Sequence, residues 1–211
     1  MSAFFVTGTD VSVGKTHVVC ALLRDLLQRG VPSMGYKPVS CGDRKELRAM
    51  REAAGAPTMS LDAINPLFLR TGADPRMGAE FERQTVDIPA LVASCRAVES
   101  GYDTLLVEGV GGWETPLCPG STMADLAAAL QYPVLLVVSN RQGAVNHALM
   151  TVRAIQARGL KCCVIVLNQQ NEEWDTAAVT NRAMLEEYTG LPVLAELIHG
   201  EDVLDSLAVL G

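Results

Sequence analysis

Residues 4–16, Phe-Phe-Val-Thr-Gly-Thr-Asp-Val-Ser-Val-Gly-Lys-Thr, hold the clearest chemistry in the chain. Gly8 and Gly14 bound a turn that ends in Lys15 and Thr16. An apolar run, Ala3 to Val6, precedes the turn and reads as a buried strand. Val18, Val19, Leu22, Leu23 and Leu26 follow at helical spacing. Strand, glycine-bounded loop, Lys-Thr and helix in that order make a phosphate-binding loop. Its backbone N–H groups and the helix N-terminus present partial positive charge to a polyphosphate. Lys15 would reach the terminal phosphates, and the Thr16 hydroxyl would ligate a magnesium ion. The candidate nucleotide-binding stretch is therefore Thr9, Asp10, Val11, Ser12 and Val13, followed by Gly14, Lys15 and Thr16. Five residues separate Gly8 from Gly14, one more than the usual spacing. A glycine turn capping an ordinary helix, with Lys15 solvated, is the plainer reading; the strand before and the helix after weigh against it.

Two further residues stand where such a loop would need them. Lys37 lies at the end of a second apolar stretch, Met34 to Val39, at the carboxyl edge where doubly wound sheets place their ligands. Position alone leaves open whether it contacts a ligand or is a solvated strand-end lysine. Glu108 ends the apolar strand Thr104 to Glu108 and is followed by Gly109-Val110-Gly111-Gly112-Trp113. A carboxylate at a strand end after a phosphate loop reads as a ligand of the nucleotide's magnesium. The glycines beyond it remove side-chain bulk, as close approach of backbone to a ligand requires.

The elements that must position these residues alternate. Helix one is expected to run to about Arg29, where Gly30 and Pro32 stop it, and the second strand to end at Lys37, since Pro38 cannot donate to a ladder. Asp43 to Ala54 reads as a short helix. Residues 55–86 hold Pro57, Pro66, Pro75, Gly72 and Gly78 without clean periodicity, a long excursion of a kind more often functional than idle. Asp87 to Glu99 returns to helix, with Pro89 tolerated in its first turn. Ser121 to Leu130, Asn146 to Arg158 and Thr176 to Thr189 read as helices, as does Val203 to Leu210. Val134 to Val138, Lys161 to Leu167 and Leu191 to Leu194 read as strands. This alternation implies a single α/β domain over residues 1–211. It would hold a doubly wound, mostly parallel sheet with right-handed crossovers and helices on both faces, the P-loop NTPase type.

Composition narrows the partners. The 211 residues carry a formal net charge of −7, which argues against a general affinity for nucleic acid or an anionic membrane. No basic residue precedes Lys15 and no apolar run approaches ~18 residues, so neither a signal peptide nor a spanning helix is expected, and cytoplasm is the default. The six cysteines, Cys20, Cys41, Cys95, Cys118, Cys162 and Cys163, include no C-x-x-C pair and read as free thiols, largely buried. No histidine among His17, His147 and His199 pairs with a Ser or Cys in a nucleophile arrangement.

Several of these stretches together resemble the dethiobiotin synthetase family of ATP-dependent enzymes. They are residues 5–16, Tyr36-Lys37-Pro38-Val39, Val107-Glu108-Gly109 through Gly111-Gly112-Trp113 to Thr115-Pro116-Leu117, and Asn146-His147-Ala148. The five-residue loop spacing is that family's own variant. The resemblance implies a homodimer with active sites at its interface, Mg²⁺, and ATP as co-substrate. It also implies a reaction in which 7,8-diaminononanoate takes up CO2 as a carbamate. The carbamate then attacks the γ-phosphate of ATP, and the second amine closes a ureido ring. Lys15, Thr16 and Lys37 would be catalytic. Thr16, Glu108 and an Asp after the second strand would hold the metal, and Asp43 is the candidate for that Asp. Asn168, with His17, Ile198 and His199, would meet the nucleotide. Lys37, Cys41, Gly111 and Gly112 would meet the diamine, and Gly143, Ala144 and Asn146 would receive its carboxylate from the neighbouring subunit.

The chain departs from the family pattern in places. Val11 stands where Thr is common, Ser12 where Glu often sits, and Cys41 where Ser or Thr is usual. Glu196-Leu197-Ile198-His199 replaces Gly-x-Ile-Pro. These changes spare the phosphate and metal set but alter substrate and base contacts. Other readings are a cobyrinic-type ligase of the same branch, which normally carries a glutaminase domain for which no length remains, a nucleotide-switch ATPase of the septum-site or partitioning kind, and an inactive paralogue. The switch ATPases usually carry an extra lysine early in the loop, and none precedes Lys15 here.

Overall fold

The computed structural model describes residues 2–172, 176–205 and 210, and its first strand, β1 (Ser2–Gly8), is buried from Ala3 to Gly8. The loop 9–14 leads into α1 (Lys15–Gln28), which Gly30 ends in a left-handed turn. Then come β2 (Ser33–Tyr36), β3 (Val39–Cys41), α2 (Lys45–Ala53), α3 (Leu61–Ile64), β4 (Leu67–Leu69), α4 (Pro75–Glu82) and α5 (Ile88–Glu99). The second half holds β5 (Thr104–Glu108), β6 (Pro116–Cys118), β7 (Ser121–Thr122), α6 (Met123–Leu130), β8 (Val134–Ser139), α7 (Ala144–Ala157), β9 (Cys162–Asn168), α8 (Ala178–Thr189) and β10 (Val193–Leu197).

Six strands form one sheet in the order β10-β9-β8-β1-β5-β2, every neighbour parallel. Every residue of β5 and β8 is buried, as strands covered on both faces must be. Alternate side chains of β1 serve two cores. Phe4 and Val6 join Val18, Val19, Leu22 and Leu23 of α1 on one face. Phe5 joins Leu91 of α5, Leu126 of α6 and Val152 of α7 on the other. Phe5 is fully buried, its ring centroid 6.3 Å from that of Trp113 in an edge-to-face pair. Truncating a buried Phe of this kind costs about 3–5 kcal/mol. Because β1 is central, with β5 on one side and β8 on the other, the chain winds outward in both directions from it. That places the loop after β1 at the crevice where the winding reverses, where such sheets bind ligands.

Several elements differ from the sequence reading. The second strand ends at Tyr36, and β3 leaves the main sheet beyond Pro38 to pair in parallel with β4. The proline cannot donate a ladder hydrogen bond, so the sheet is abandoned there. The excursion 55–86 is built rather than irregular, holding α3, β4 and α4. The expected helix over Ser121 to Leu130 starts at Met123, because Ser121 and Thr122 pair with β6 first. Thr122 then caps it, its N–H donating to Asp125 at 2.7 Å. The last strand runs later than expected, to Leu197. Of the final helix read at 203–210, residues 203–205 are not helical, and 206–209 lie outside the described residues. All six cysteines are free thiols, with Cys20, Cys95 and Cys162 buried and the other three half-buried. Among the described residues no helix is long and apolar enough to cross a membrane.

Candidate active site

Gly14 is the pivot of the loop. It caps α1 in the left-handed region, φ 91°, and a side chain there would place Cβ 1.9 Å from the amide nitrogen of Asn168. Only glycine meets both demands. Beyond it the first turn of α1 points its free N–H groups toward a cavity of about 310 Å³. Val11, Ser12, Gly14, Lys15 and Thr16 form one wall of this cavity. Lys37, Cys41 and Glu46 form a second, and Glu108, Val110 and Gly111 a third. The walls come from the ends of β1, β2 and β5 and, through Cys41 and Glu46, from β3 and α2, residues far apart in sequence that the fold brings together.

Lys15, Lys37 and Glu108 are buried, and the last two are paired. Glu108 is 1% exposed, and its Oε1 accepts from Lys37 Nζ at 2.6 Å and from the Thr16 hydroxyl at 2.9 Å. Glu46 also accepts from Lys37. Burial pushes the Lys37 pKa down, but Glu108 and Glu46 more than offset this and hold it above the ordinary lysine value. Lys15 Nζ donates to the Asp10 carbonyl at 2.9 Å. Burial sets its pKa below the ordinary value despite the pull of Glu108, and neighbouring Lys37 adds to that lowering. Removing one member of a buried pair such as Lys37–Glu108 costs about 3–5 kcal/mol, because the other charge is left stranded. Among the described residues, Oε2 of Glu108 is buried with no hydrogen-bond partner. A carboxylate oxygen so placed is suited to a cation that the cavity admits.

Lys37 owes its position to the excursion. Its N–H donates to the Ile64 carbonyl at 2.9 Å, and its own carbonyl accepts from Asn65 Nδ2 at 2.8 Å. Asn65 is 1% exposed, and its Oδ1 accepts from the Ser40 hydroxyl at 2.9 Å. The segment 55–86 therefore returns to strap the backbone on which Lys37 and Cys41 stand. Burial pushes the Cys41 thiol up to about 11.

The sequence-predicted residues divide. Lys15, Thr16, Lys37, Cys41, Gly111 and Glu108 share the cavity, along with Val11, Ser12 and Gly14. Asp43 does not line it. Its exposed carboxylate instead accepts from the Lys45 N–H at 2.8 Å, at the start of α2. Glu46, the second residue of α2, lines the cavity instead; its side chain is exposed and reaches Lys37, while Leu47 and Met50 make the helix's core-facing side. Gly112 donates its N–H to Thr115 Oγ1 at 2.8 Å and lies just outside the lining. Gly143 caps α7, and Ala144 and Asn146 stand in its first turn; none of the three lines the cavity.

A second hollow of about 260 Å³ opens behind Gly14, lined by His17, Asn168, Gln169, Gln170, His199 and Gly200. This brings together His17, Asn168 and His199, three of the residues read as nucleotide contacts. Ile198 is not part of the lining, and its side chain is 42% exposed. Sequence reading missed Glu46, Asn65 and Gln170. Pro66 was read only as part of the excursion 55–86, and nothing in its spacing tied Asn65 to Lys37.

A family model described as an AAA domain matches residues 2–205. A protein of Akkermansia muciniphila named ATP-dependent dethiobiotin synthetase is 48% identical over 97% of this chain and 96% of its own length. Proteins of the same name from Xylella fastidiosa and Anaeromyxobacter dehalogenans are 39% and 37% identical, over 94% and 100% of this chain and 91% and 96% of theirs. Among solved structures, a ParA family ATPase from Chlorobium tepidum superposes with a TM-score of 0.60 at 11% identity, covering 95% of this chain and 86% of that one. The MinC:MinD complex of Aquifex aeolicus gives a TM-score of 0.60 at 13% identity, covering 99% and 86%. The two structural likenesses speak to the fold.

Proposed function

The chain belongs to the ATP-dependent dethiobiotin synthetase family, and from that membership we propose that it carboxylates and cyclises 7,8-diaminononanoate with CO2 and ATP. The observation that carries the reading furthest is the convergence of Lys15, Lys37, Thr16 and Glu108 on one cavity at the mouth of the phosphate loop. An anionic carbamate must approach an anionic phosphoryl group, so the reaction needs charge neutralisation more than acid–base groups. Lys15 would hold the terminal phosphates. Lys37, raised on its strap and kept protonated by Glu108 and Glu46, would stand between carbamate and γ-phosphate. Cys41 and Gly111 border the same space and would flank the amines. The base would occupy the hollow beside Asn168 and His199.

The donor set also fits a hard divalent cation: a hydroxyl, a buried carboxylate with a free oxygen, and a second carboxylate facing the same cavity. Thr16, Glu108 and Glu46 would hold Mg²⁺, with Glu46 in the place first assigned to Asp43. Bound there, the ion supplies positive charge to the phosphate oxygens. Gly143, Ala144 and Asn146 lie outside this cavity, which suits their expected role across a homodimer interface, toward the partner's substrate. The switch-ATPase reading has only the shared fold in its favour.

Phosphate release from ATP, with magnesium and bicarbonate, should depend on 7,8-diaminononanoate, and the product should carry the added ureido carbonyl by mass. ATP hydrolysis that ignores the diamine would reject the proposal.

A further inference from the structure

We infer that Asn168, at the end of β9, and Gln170, two residues beyond it, form a clamp that holds the phosphate loop in its anion-binding shape, a contribution that is the same for every nucleotide. The inference rests on residues 8–16 being the phosphate site and extends that reading to two residues that do not face the phosphates.

A loop that aims several N–H groups at one anion must turn the carbonyls of the same planar peptides the other way. Those carbonyls need donors, or the peptides can flip. In this loop they have them. The Val13 carbonyl accepts from Asn168 Nδ2 at 2.9 Å, and the Ser12 carbonyl from Gln170 Nε2 at 2.5 Å. The planes so held are the ones whose N–H groups belong to Gly14 and Val13. Ser12 itself sits at φ 54°, a left-handed conformation that residues with a side chain enter at a cost, so its geometry needs outside support. Gln170 is in turn oriented by Ser139, whose hydroxyl donates to its Oε1 at 2.8 Å. Ser139 ends β8 and Asn168 ends β9, so the clamp is anchored in the sheet.

Asn168 was assigned above to the base. Its buried amide nitrogen engages the loop and packs on Gly14, which leaves its amide oxygen to meet the base. The base contact would set the preference among nucleotides. The clamp would set affinity for the polyphosphate whatever base it carries.

The test measures binding of ATP, CTP and inorganic tripolyphosphate, each with Mg²⁺, to the full chain and to Gln170→Met, Ser139→Ala and Asn168→Ala. Gln170→Met removes the donor without adding charge. It should weaken all three ligands by the same factor, roughly 3- to 10-fold for one lost hydrogen bond, with the melting temperature unchanged. Ser139→Ala should act in the same direction but less, and the Ser139→Ala/Gln170→Met double variant should bind no worse than Gln170→Met alone. Asn168→Ala should also weaken tripolyphosphate. Losses confined to ATP, or unchanged tripolyphosphate binding in the Gln170 and Asn168 variants, would overturn the clamp while leaving the site reading intact. Failure of the unaltered protein to bind any of the three ligands would overturn both.

Discussion

The loop after β1 is gripped from two sides by different chemistry. Toward β5 and β2 lie buried full charges, Lys37, Glu108 and Lys15, each answered by an opposite charge, a hydroxyl or a carbonyl. Toward β9 lie side-chain amides bonded to loop carbonyls, with two histidines beside a more open hollow. Buried charge tolerates little change, because a lost partner strands the other member. Amide contacts at a partly exposed edge contribute about 1 kcal/mol each and can drift. The departures noted from the family pattern fall on both sides: Val11 and Cys41 line the charged cavity, and His199 lines the hollow beside the amides.

The contrast is easiest to break at the charges. Lys15→Ala should lower turnover by roughly 100- to 1,000-fold, the scale for losing one preorganised charge contact. Lys37→Ala should lower kcat comparably while ATP binding is partly kept, and near-normal kcat in that variant would remove Lys37 from the chemistry. A thermal melt distinguishes either loss from unfolding.

The next effect separates two carboxylates. Glu46→Gln should raise the magnesium concentration needed for half-maximal ATP binding by roughly tenfold or more, whereas Asp43→Asn should leave it unchanged. The reverse ranking in a metal titration would restore Asp43 as the ligand.

A smaller effect is in pH. Lys15 has a lowered pKa and Lys37 a raised one, so Lys15 loses its proton first as pH climbs. Unfolding returns Lys15 to its ordinary value, so the unfolded chain binds more protons and this group's contribution to stability rises with pH between the lowered value and 10.5. Lys37 contributes stability that is complete below 10.5 and lost only above that, as pH passes its raised value. The alkaline limb of kcat/KM for ATP should therefore begin below pH 10.5 and report Lys15. A limb that starts only above 10.5 would contradict the assignment.

The smallest effect is expected on the open side. His199→Ala should change KM for ATP by less than about threefold, as for a partly solvated contact. A larger change, specific to ATP over CTP, would show that the hollow reads the base.

Much of this was legible in the residues themselves. The glycine spacing, the Lys-Thr pair and the apolar strand before them dictate a phosphate loop wherever they occur, because the conformations involved are local. The strand Thr104–Glu108 was placed to the residue, since an apolar centre, Leu105 to Val107, flanked by turn residues has few alternatives. Lys37 was visible, but whether it was solvated was not. Three positions were out of reach. Glu46 was hidden because the start of a short charged helix sets which carboxylate reaches the cavity, and a shift of one turn exchanges Asp43 for it. Asn65 was hidden because the strap over Lys37 closes through β3 and β4, an association between separated segments. Gln170 was hidden because it meets Ser12 only once β8, β9 and β1 lie side by side. Local conformation and the order of polar and apolar residues thus determined the loop, the strands and the class of chemistry. Which carboxylate faces the cavity, what holds Lys37 in place and what holds the loop open were decided by the tertiary structure, since each depends on contacts between elements that the sheet alone brings together.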